Sequence, residues 1–174
     1  MKLIVLPGNS KSNKEWSEKT AHVFSDLFTD QYLQTYSHWD EAKDIINLEI
    51  ELKKLAEASN RNECIVIAKS AGAVLAIYGI SKNLFKPKKC VFFGLPVLWA
   101  EENNFDLKSW FERYNIPTLI IQNSQDPITS CLEVRKFIEE LSLADNVRII
   151  EIDGNDHKYS DIEVVKKEIE YFLS

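Results

Sequence analysis

The sequence is sparing with cysteine and glycine, and each shortage excludes something. Its three cysteines, Cys64, Cys90 and Cys131, stand far apart without metal-type spacing. An odd count with no pairing pattern excludes a disulfide framework and fits reduced thiols in a cytosol-like compartment, so the expected localisation is cytoplasmic. With five glycines, the chain contains neither Gly-x-Gly-x-x-Gly nor a Gly-Lys-Ser/Thr loop, the two common fingerprints of nucleotide phosphate binding. No metal and no cofactor are expected. No stretch approaches the ~20 apolar residues of a membrane span. Met1 to Leu6 has one lysine and a short apolar run that stops at Pro7-Gly8-Asn9, too soon for the core of a signal peptide. Excess positive charge is also missing. The formal net charge is −6, with lysines and arginines scattered among acidic residues. That argues against nucleic acid or an anionic membrane surface as partner.

What remains is an ordinary globular composition, 45% hydrophobic and 28% charged over 174 residues. This suits one domain, 1–174, with a respectable core. Apolar runs and helical stripes alternate along it. Strands are expected at Lys2-Leu6, more weakly at Gln34-His38, then at Cys64-Ala68, Lys89-Phe93, Pro117-Gln122 and Val147-Ile152. Between them lie helical patterns. Asn13 to Phe28 carries Trp16, Thr20, Val23 and Leu27 on one stripe, and Glu41 to Ala58 carries Ile45, Leu48, Leu52 and Leu55. Ala71 to Ser81 and Ser130 to Leu141 follow, the latter with Ser130 and Glu133 at capping-box spacing. Ser160 and Glu163 repeat that signature before a closing helix with Ile162, Val165, Ile169 and Phe172 on its stripe. Six strands alternating with helices imply a mostly parallel sheet covered on both faces. The stretch from Leu95 to Tyr114 is irregular and aromatic, and is read as a short cap over a cleft. Gly8, Gly72, Gly94 and Gly154 all follow expected strands. That is the carboxyl edge, outside which open α/β sheets bind ligands.

The chemistry is concentrated in Ile65 to Gly72. A β-branched run leads into Ser70, with Ala68 before it and Gly72, Ala73 and Ala76 beyond. Such a strand turning sharply into a helix strains the serine backbone and raises its hydroxyl above the sheet edge. A serine hydroxyl needs a base, and the base needs a group to orient it. Asp126 follows the fifth expected strand and His157 the sixth. The order serine, acid, histidine is that of the α/β-hydrolase arrangement.

At these residues the chain resembles a known family. Pro117 to Ile121 followed by Asp126-Pro127-Ile128 looks like the strand and acid loop of α/β hydrolases, and Gly154 to His157 resembles their histidine loop. Ser70, Gly72, Ala73 and Ala76 resemble the elbow and helix of short single-domain members of the retinoblastoma-binding protein 9 type, and Trp39-Asp40 adds to that likeness. The resemblance implies an α/β-hydrolase fold and a catalytic triad of Ser70, His157 and Asp126. Ala68 stands where the family usually has the first glycine of the elbow, and Pro7-Gly8-Asn9-Ser10 where it often has His-Gly. Asn123 stands where a glycine is common, a change that a backbone with positive φ tolerates. The implied activity is serine hydrolysis of a small-molecule carboxylic ester, thioester or amide; the alternative is an inactive binding or scaffold protein on the same fold.

The oxyanion needs two aimed N–H donors. The amide of Ala71 and one from the first loop, Asn9 ahead of Ser10, are the candidates. Leu95, Trp99, Ser10 and Lys69 are expected along the substrate cleft. Lys69 has two readings: an ammonium near Ser70 that favours anionic substrates, or one that snorkels to solvent, the commoner behaviour. His38 should open towards the cleft, Asp156 should brace the histidine loop, and Cys131 should be inert.

Overall fold

The structure is a computed structural model and describes residues 1–41, 43–59, 63–143 and 145–174. Six strands form one sheet in the order β2-β1-β3-β4-β5-β6, every neighbouring pair parallel. They are β1 (Lys2–Leu6), β2 (Asp30–Leu33), β3 (Cys64–Lys69), β4 (Lys89–Phe93), β5 (Thr118–Asn123) and β6 (Val147–Ile152). The helices are α1 (Asn13–Val23), α2 (Leu48–Ser59), α3 (Ala71–Ser81), α4 (Val97–Glu102), α5 (Leu107–Phe111), α6 (Cys131–Glu140) and α7 (Lys166–Leu173).

Side chains alternate across the strands, and each face builds its own core. Ile4, Leu6, Val66, Ala68, Phe92 and Ile120 pack beneath α2, α3, α6 and the α4–α5 segment. Leu3, Val5, Ile67, Val91, Phe93 and Leu119 pack beneath α1 and α7. Because both faces are covered, β3 and β5 are buried along their whole length, and their middles, Ile65–Ala68 and Leu119–Ile121, read as continuous apolar runs. The chain leaves β1 for β2 on one side and returns to β3 on the other. This reversal opens a crevice at the carboxyl ends of β1 and β3, where the Pro7–Ser10 loop faces Ser70.

Several sequence expectations shift. The second strand is Asp30–Leu33, not Gln34-His38. Gln34, Tyr36 and His38 are buried alternately, as a strand would require, but beyond the Gln34 N–H, which still donates to the Val5 carbonyl, their side chains serve as anchors: Gln34 holds Glu51 of α2, and Tyr36 and His38 hold the loop after β1. The first helix ends at Val23, so Phe24 and Phe28 fill the core and Leu27 is 48% exposed. The second helix begins at Leu48, with Asn47 Oδ1 accepting the Ile50 N–H at 3.1 Å, and Ile45 lies outside it. Residue 42, within the expected helix, lies outside the described residues. Ser130 and Glu133 form the full capping box. Ser160 and Glu163 do not: a single 3-10 turn over Glu163–Val165 precedes α7, and no side chain caps it. The stretch from Leu95 to Tyr114 contains α4 and α5, and its aromatics pack in sequence, Trp99 on Phe105, Phe105 on Trp110 and Trp110 on Tyr78. No described helix is long and apolar enough to cross a membrane.

Candidate active site

β3 ends at Lys69 and α3 begins at Ala71, so Ser70 alone turns the chain. Its φ of 50° and ψ of −119° are sparsely populated by residues with a side chain. The surroundings hold it there. Its N–H donates to the Phe93 carbonyl at 2.9 Å, and its own carbonyl accepts the amides of Ala73 and Val74 at 2.8 and 3.3 Å. α3 then runs so close to β1 that a Cβ at Gly72 would lie 2.4 Å from the Leu6 carbonyl oxygen. Only glycine fits.

Asp126 leaves β5 on a short turn tied to the end of β6. The Ser124 N–H donates to the Ile152 carbonyl at 2.8 Å and the Gln125 N–H to the Gly154 carbonyl at 2.9 Å. The Asp126 carboxylate is buried and accepts three donors: His157 Nδ1 at 2.7 Å, the Tyr159 hydroxyl at 2.6 Å and the Ile128 N–H at 2.9 Å. Burial alone would raise its pKa, but the bonds from His157 and Tyr159, the attraction of the imidazole whenever that ring is protonated, and the Ile128 amide outweigh it and hold the carboxyl below its ordinary value. An ionised carboxylate only accepts, so Nδ1 carries the proton and Nε2 is free to act as base. Nε2 is buried and without a hydrogen-bond partner among the described residues. Gly94 makes room for this ring: its φ is +61°, and a Cβ there would sit 2.8 Å from His157 Cε1 and 2.5 Å from Tyr159 Cε2.

Tyr159 is the member that sequence reasoning missed. It takes φ 50°, its carbonyl accepts Trp16 Nε1 at 3.0 Å, and its hydroxyl accepts the Asn123 N–H at 3.0 Å while donating to Asp126. Nothing in the spacing of the histidine loop marks a tyrosine two residues on as a brace for the acid. Asn123 also departs from expectation. It ends β5 without positive φ, and its side chain donates to the Asp156 carbonyl at 2.7 Å. Asp156 itself accepts the Lys158 N–H at 2.7 Å.

The first loop is pinned from behind. The Asn9 carbonyl accepts His38 Nε2 at 2.8 Å and Trp39 Nε1 at 2.7 Å, and the Tyr36 hydroxyl donates to the Pro7 carbonyl at 2.7 Å. The Asn9 side chain binds Ile46 N–H and the Asp44 carbonyl. His38 is therefore buried behind the loop, stacked on Tyr36, and does not open into the cleft as its position suggested. Ala71 is buried as the first residue of α3, and its amide has no backbone acceptor among the described residues.

A cavity of about 510 Å³ opens at this edge, walled by Asn9, Ser10, Lys69, Ser70, Trp99 and His157, with Pro127 and Ile128 adding apolar surface. Leu95 is not on its wall. Its amide donates to Gln122 Oε1 at 2.9 Å, and its side chain is fully buried in the core beside α3. Lys69 does not snorkel. The last residue of β3 points to the α1 face, leaving Lys69 6% exposed, with Nζ 2.7 Å from Asn13 Oδ1 and 5.9 Å from the Trp16 ring centroid. Burial draws its ammonium down to about 8, against the opposing pull of Asp156 and Asp126. Cys131 is buried, and burial pushes its thiol up, away from the thiolate form that reacts.

The parallel sheet and its edge loops define the α/β-hydrolase fold, and solved structures share it. An esterase from Pyrococcus furiosus superposes with a TM-score of 0.73 at 16% identity, over 99% of this chain and 81% of its own. Est1E from Butyrivibrio proteoclasticus, solved with ferulic acid bound, gives 0.74 at 13% identity over 99% and 87%. A putative hydrolase of the α/β superfamily from Xanthomonas campestris gives 0.68 at 13% identity over 99% and 96%. No family model matches the sequence, and no curated protein does. At these identities the likeness carries the architecture alone.

Proposed function

We propose that the protein is a serine hydrolase acting on small carboxylic esters, with thioesters and amides as related substrates. The observation that carries this reading is the paired Asp126–His157 unit: His157, whose Nε2 is unpartnered among the described residues, lines the same cavity as the strained Ser70. In this reading Nε2 takes the Ser70 proton as Oγ bonds to the acyl carbon. Asp126 keeps the imidazole in the required tautomer. The amides of Ala71 and Asn9, with Ser10 as the second choice in the loop, receive the oxyanion, each worth ~3 kcal/mol of barrier. The imidazolium returns the proton to the leaving alcohol, and a water repeats the cycle to free the acid. Trp99 and the segment 95–114 cap the apolar side of the cleft, and no cofactor takes part. The esterase names of the structural neighbours and the resemblance to short members of the retinoblastoma-binding protein 9 type support the same reading. Three buried free thiols fit a cytoplasmic setting for it.

One observation favours the alternative of a catalytically weak or inactive binding protein: Nε2 makes no hydrogen bond to the Ser70 hydroxyl. Catalytic contacts commonly tighten only with substrate. The test is fluorophosphonate labelling together with hydrolysis of p-nitrophenyl esters of rising chain length. Wild type is expected to label at Ser70 and turn over, and Ser70→Ala to do neither. Folded wild type that resists the probe while a control hydrolase labels would overturn the proposal.

A further inference from the structure

Lys69 is a buried cation without a salt-bridge partner among the described residues. Its ammonium has three donors. One goes to Asn13 Oδ1, and no carboxylate among the described residues lies within salt-bridge reach. Burying a charge is costly unless a partner compensates it. The cavity beside Ser70 adjoins a second one, of about 370 Å³, and Ser12, Asn13, Lys69 and Lys158 wall both. Lys19 and Lys158 stand on the rim of the second cavity, so three lysines gather here in a chain whose net charge is −6. The carboxylates facing this space do not offset them closely. Asp126 is committed to His157, Tyr159 and Ile128, Asp156 binds the Lys158 amide, and Glu15 lines the second cavity but not the one beside Ser70.

We propose that Lys69, with Asn13 beside it, forms an anionic subsite next to the nucleophile, so that the preferred ester carries a carboxylate. This deepens the hydrolase reading and rests on it. An ammonium on the wall of the cavity that Ser70 also lines binds the substrate's carboxylate through a charge-assisted hydrogen bond, while the Trp16 ring lies 5.9 Å from that ammonium. The charge does not touch the reacting atoms, so it acts on binding equally before and during reaction. Its loss should appear in KM and not in kcat.

The test pairs charged and neutral esters, with the carboxylate on either side of the scissile bond: mono-p-nitrophenyl adipate against p-nitrophenyl hexanoate, and meta-acetoxybenzoate against phenyl acetate. For one pair, wild type is expected to prefer the anionic ester about tenfold or more in kcat/KM. That preference should fall to about one in Lys69→Met through a higher KM, and return in Lys69→Arg. In wild type alone it should fade as pH rises through the value of about 8 at which Lys69 loses its proton. A second readout needs no turnover: calorimetric binding of adipate to Ser70→Ala, weakened about tenfold when Lys69→Met is added. Adipate binding through Lys69 with no labelling at Ser70 would leave the subsite standing and remove the hydrolase reading. Hydrolysis of neutral esters with no charge preference and no adipate binding would do the reverse. An anionic preference that survives Lys69→Met also overturns the subsite.

Discussion

Replacing Tyr159 with phenylalanine removes one oxygen from beneath the acid and little else. The ring stays, so its contacts with Phe93 and His157, at centroid separations of 6.0 and 5.8 Å, are kept. Two hydrogen bonds go: one donated to the Asp126 carboxylate at 2.6 Å, one accepted from the Asn123 N–H at 3.0 Å. A bond to a charged acceptor contributes about 1.5–3 kcal/mol, and a buried N–H left unmet costs about 1–3 kcal/mol. Allowing for relaxation, Tyr159→Phe should lose about 2–4 kcal/mol of stability at pH 7. With a urea slope of about 2 kcal/mol per molar, the midpoint should fall by roughly 1–2 M. The loss should also depend on pH. Asp126 is held below its ordinary value of 3.8, so its contribution is complete above that pH and fades as pH falls through the lower folded value. The gap between the two proteins should narrow in acid. A midpoint shift under about 0.3 M at pH 7, or a gap that widens below pH 4, refutes the account of Tyr159 as the brace of Asp126.

Other expectations follow from the same contacts. Ser70→Gly relieves the φ of 50° and should raise stability by about 1–2 kcal/mol in urea titration while abolishing fluorophosphonate labelling; a less stable glycine variant would show that the elbow is not strained. Gly72→Ala drives a methyl against the Leu6 carbonyl and should cost 3 kcal/mol or more, or prevent folding, by circular dichroism; a variant with wild-type melting contradicts the close approach of α3 and β1. Lys69 loses its proton near pH 8 when folded and near 10.5 when unfolded, so the folded form binds fewer protons between them and stability rises with pH across that window. Wild type should gain about 3 kcal/mol relative to Lys69→Met from pH 7 to 10.5; parallel urea midpoints for the two proteins would refute the burial of the charge.

How much was legible depended on whether a residue's role was local. The elbow was, because strand, strained serine and small helix residues are consecutive from Ile65 to Ala76. The capping box at Ser130 and Glu133 was legible too, since both partners lie within one turn. The same spacing at Ser160 and Glu163 misled, because the Ser160 carbonyl serves as acceptor for Lys19 and the chain enters α7 through a 3-10 turn. The period-two burial of Gln34, Tyr36 and His38 was real, yet its cause was side-chain anchoring: Gln34 binds Glu51 of α2 and His38 binds the Asn9 carbonyl of the first loop. Alternation reports burial, not pairing. The support of Asp126 by Tyr159 and the partnership of Lys69 with Asn13 span 33 and 56 residues. Contacts of that range depend on the assembled sheet, and no local pattern encodes them.

His157 is carried past the end of β6, which has a neighbour on one side only, whereas Ser70 rises from β3, flanked by β1 and β4. A rim strand opens at lower cost than an interior one. Dilute urea should therefore detach the base from the nucleophile while the middle of the sheet stays zipped, and ester turnover should fade ahead of the far-ultraviolet dichroism. Coincident loss of both signals would mean that the molecule comes apart in one step. If the two separate, heat and denaturant will inactivate this protein well before they melt it.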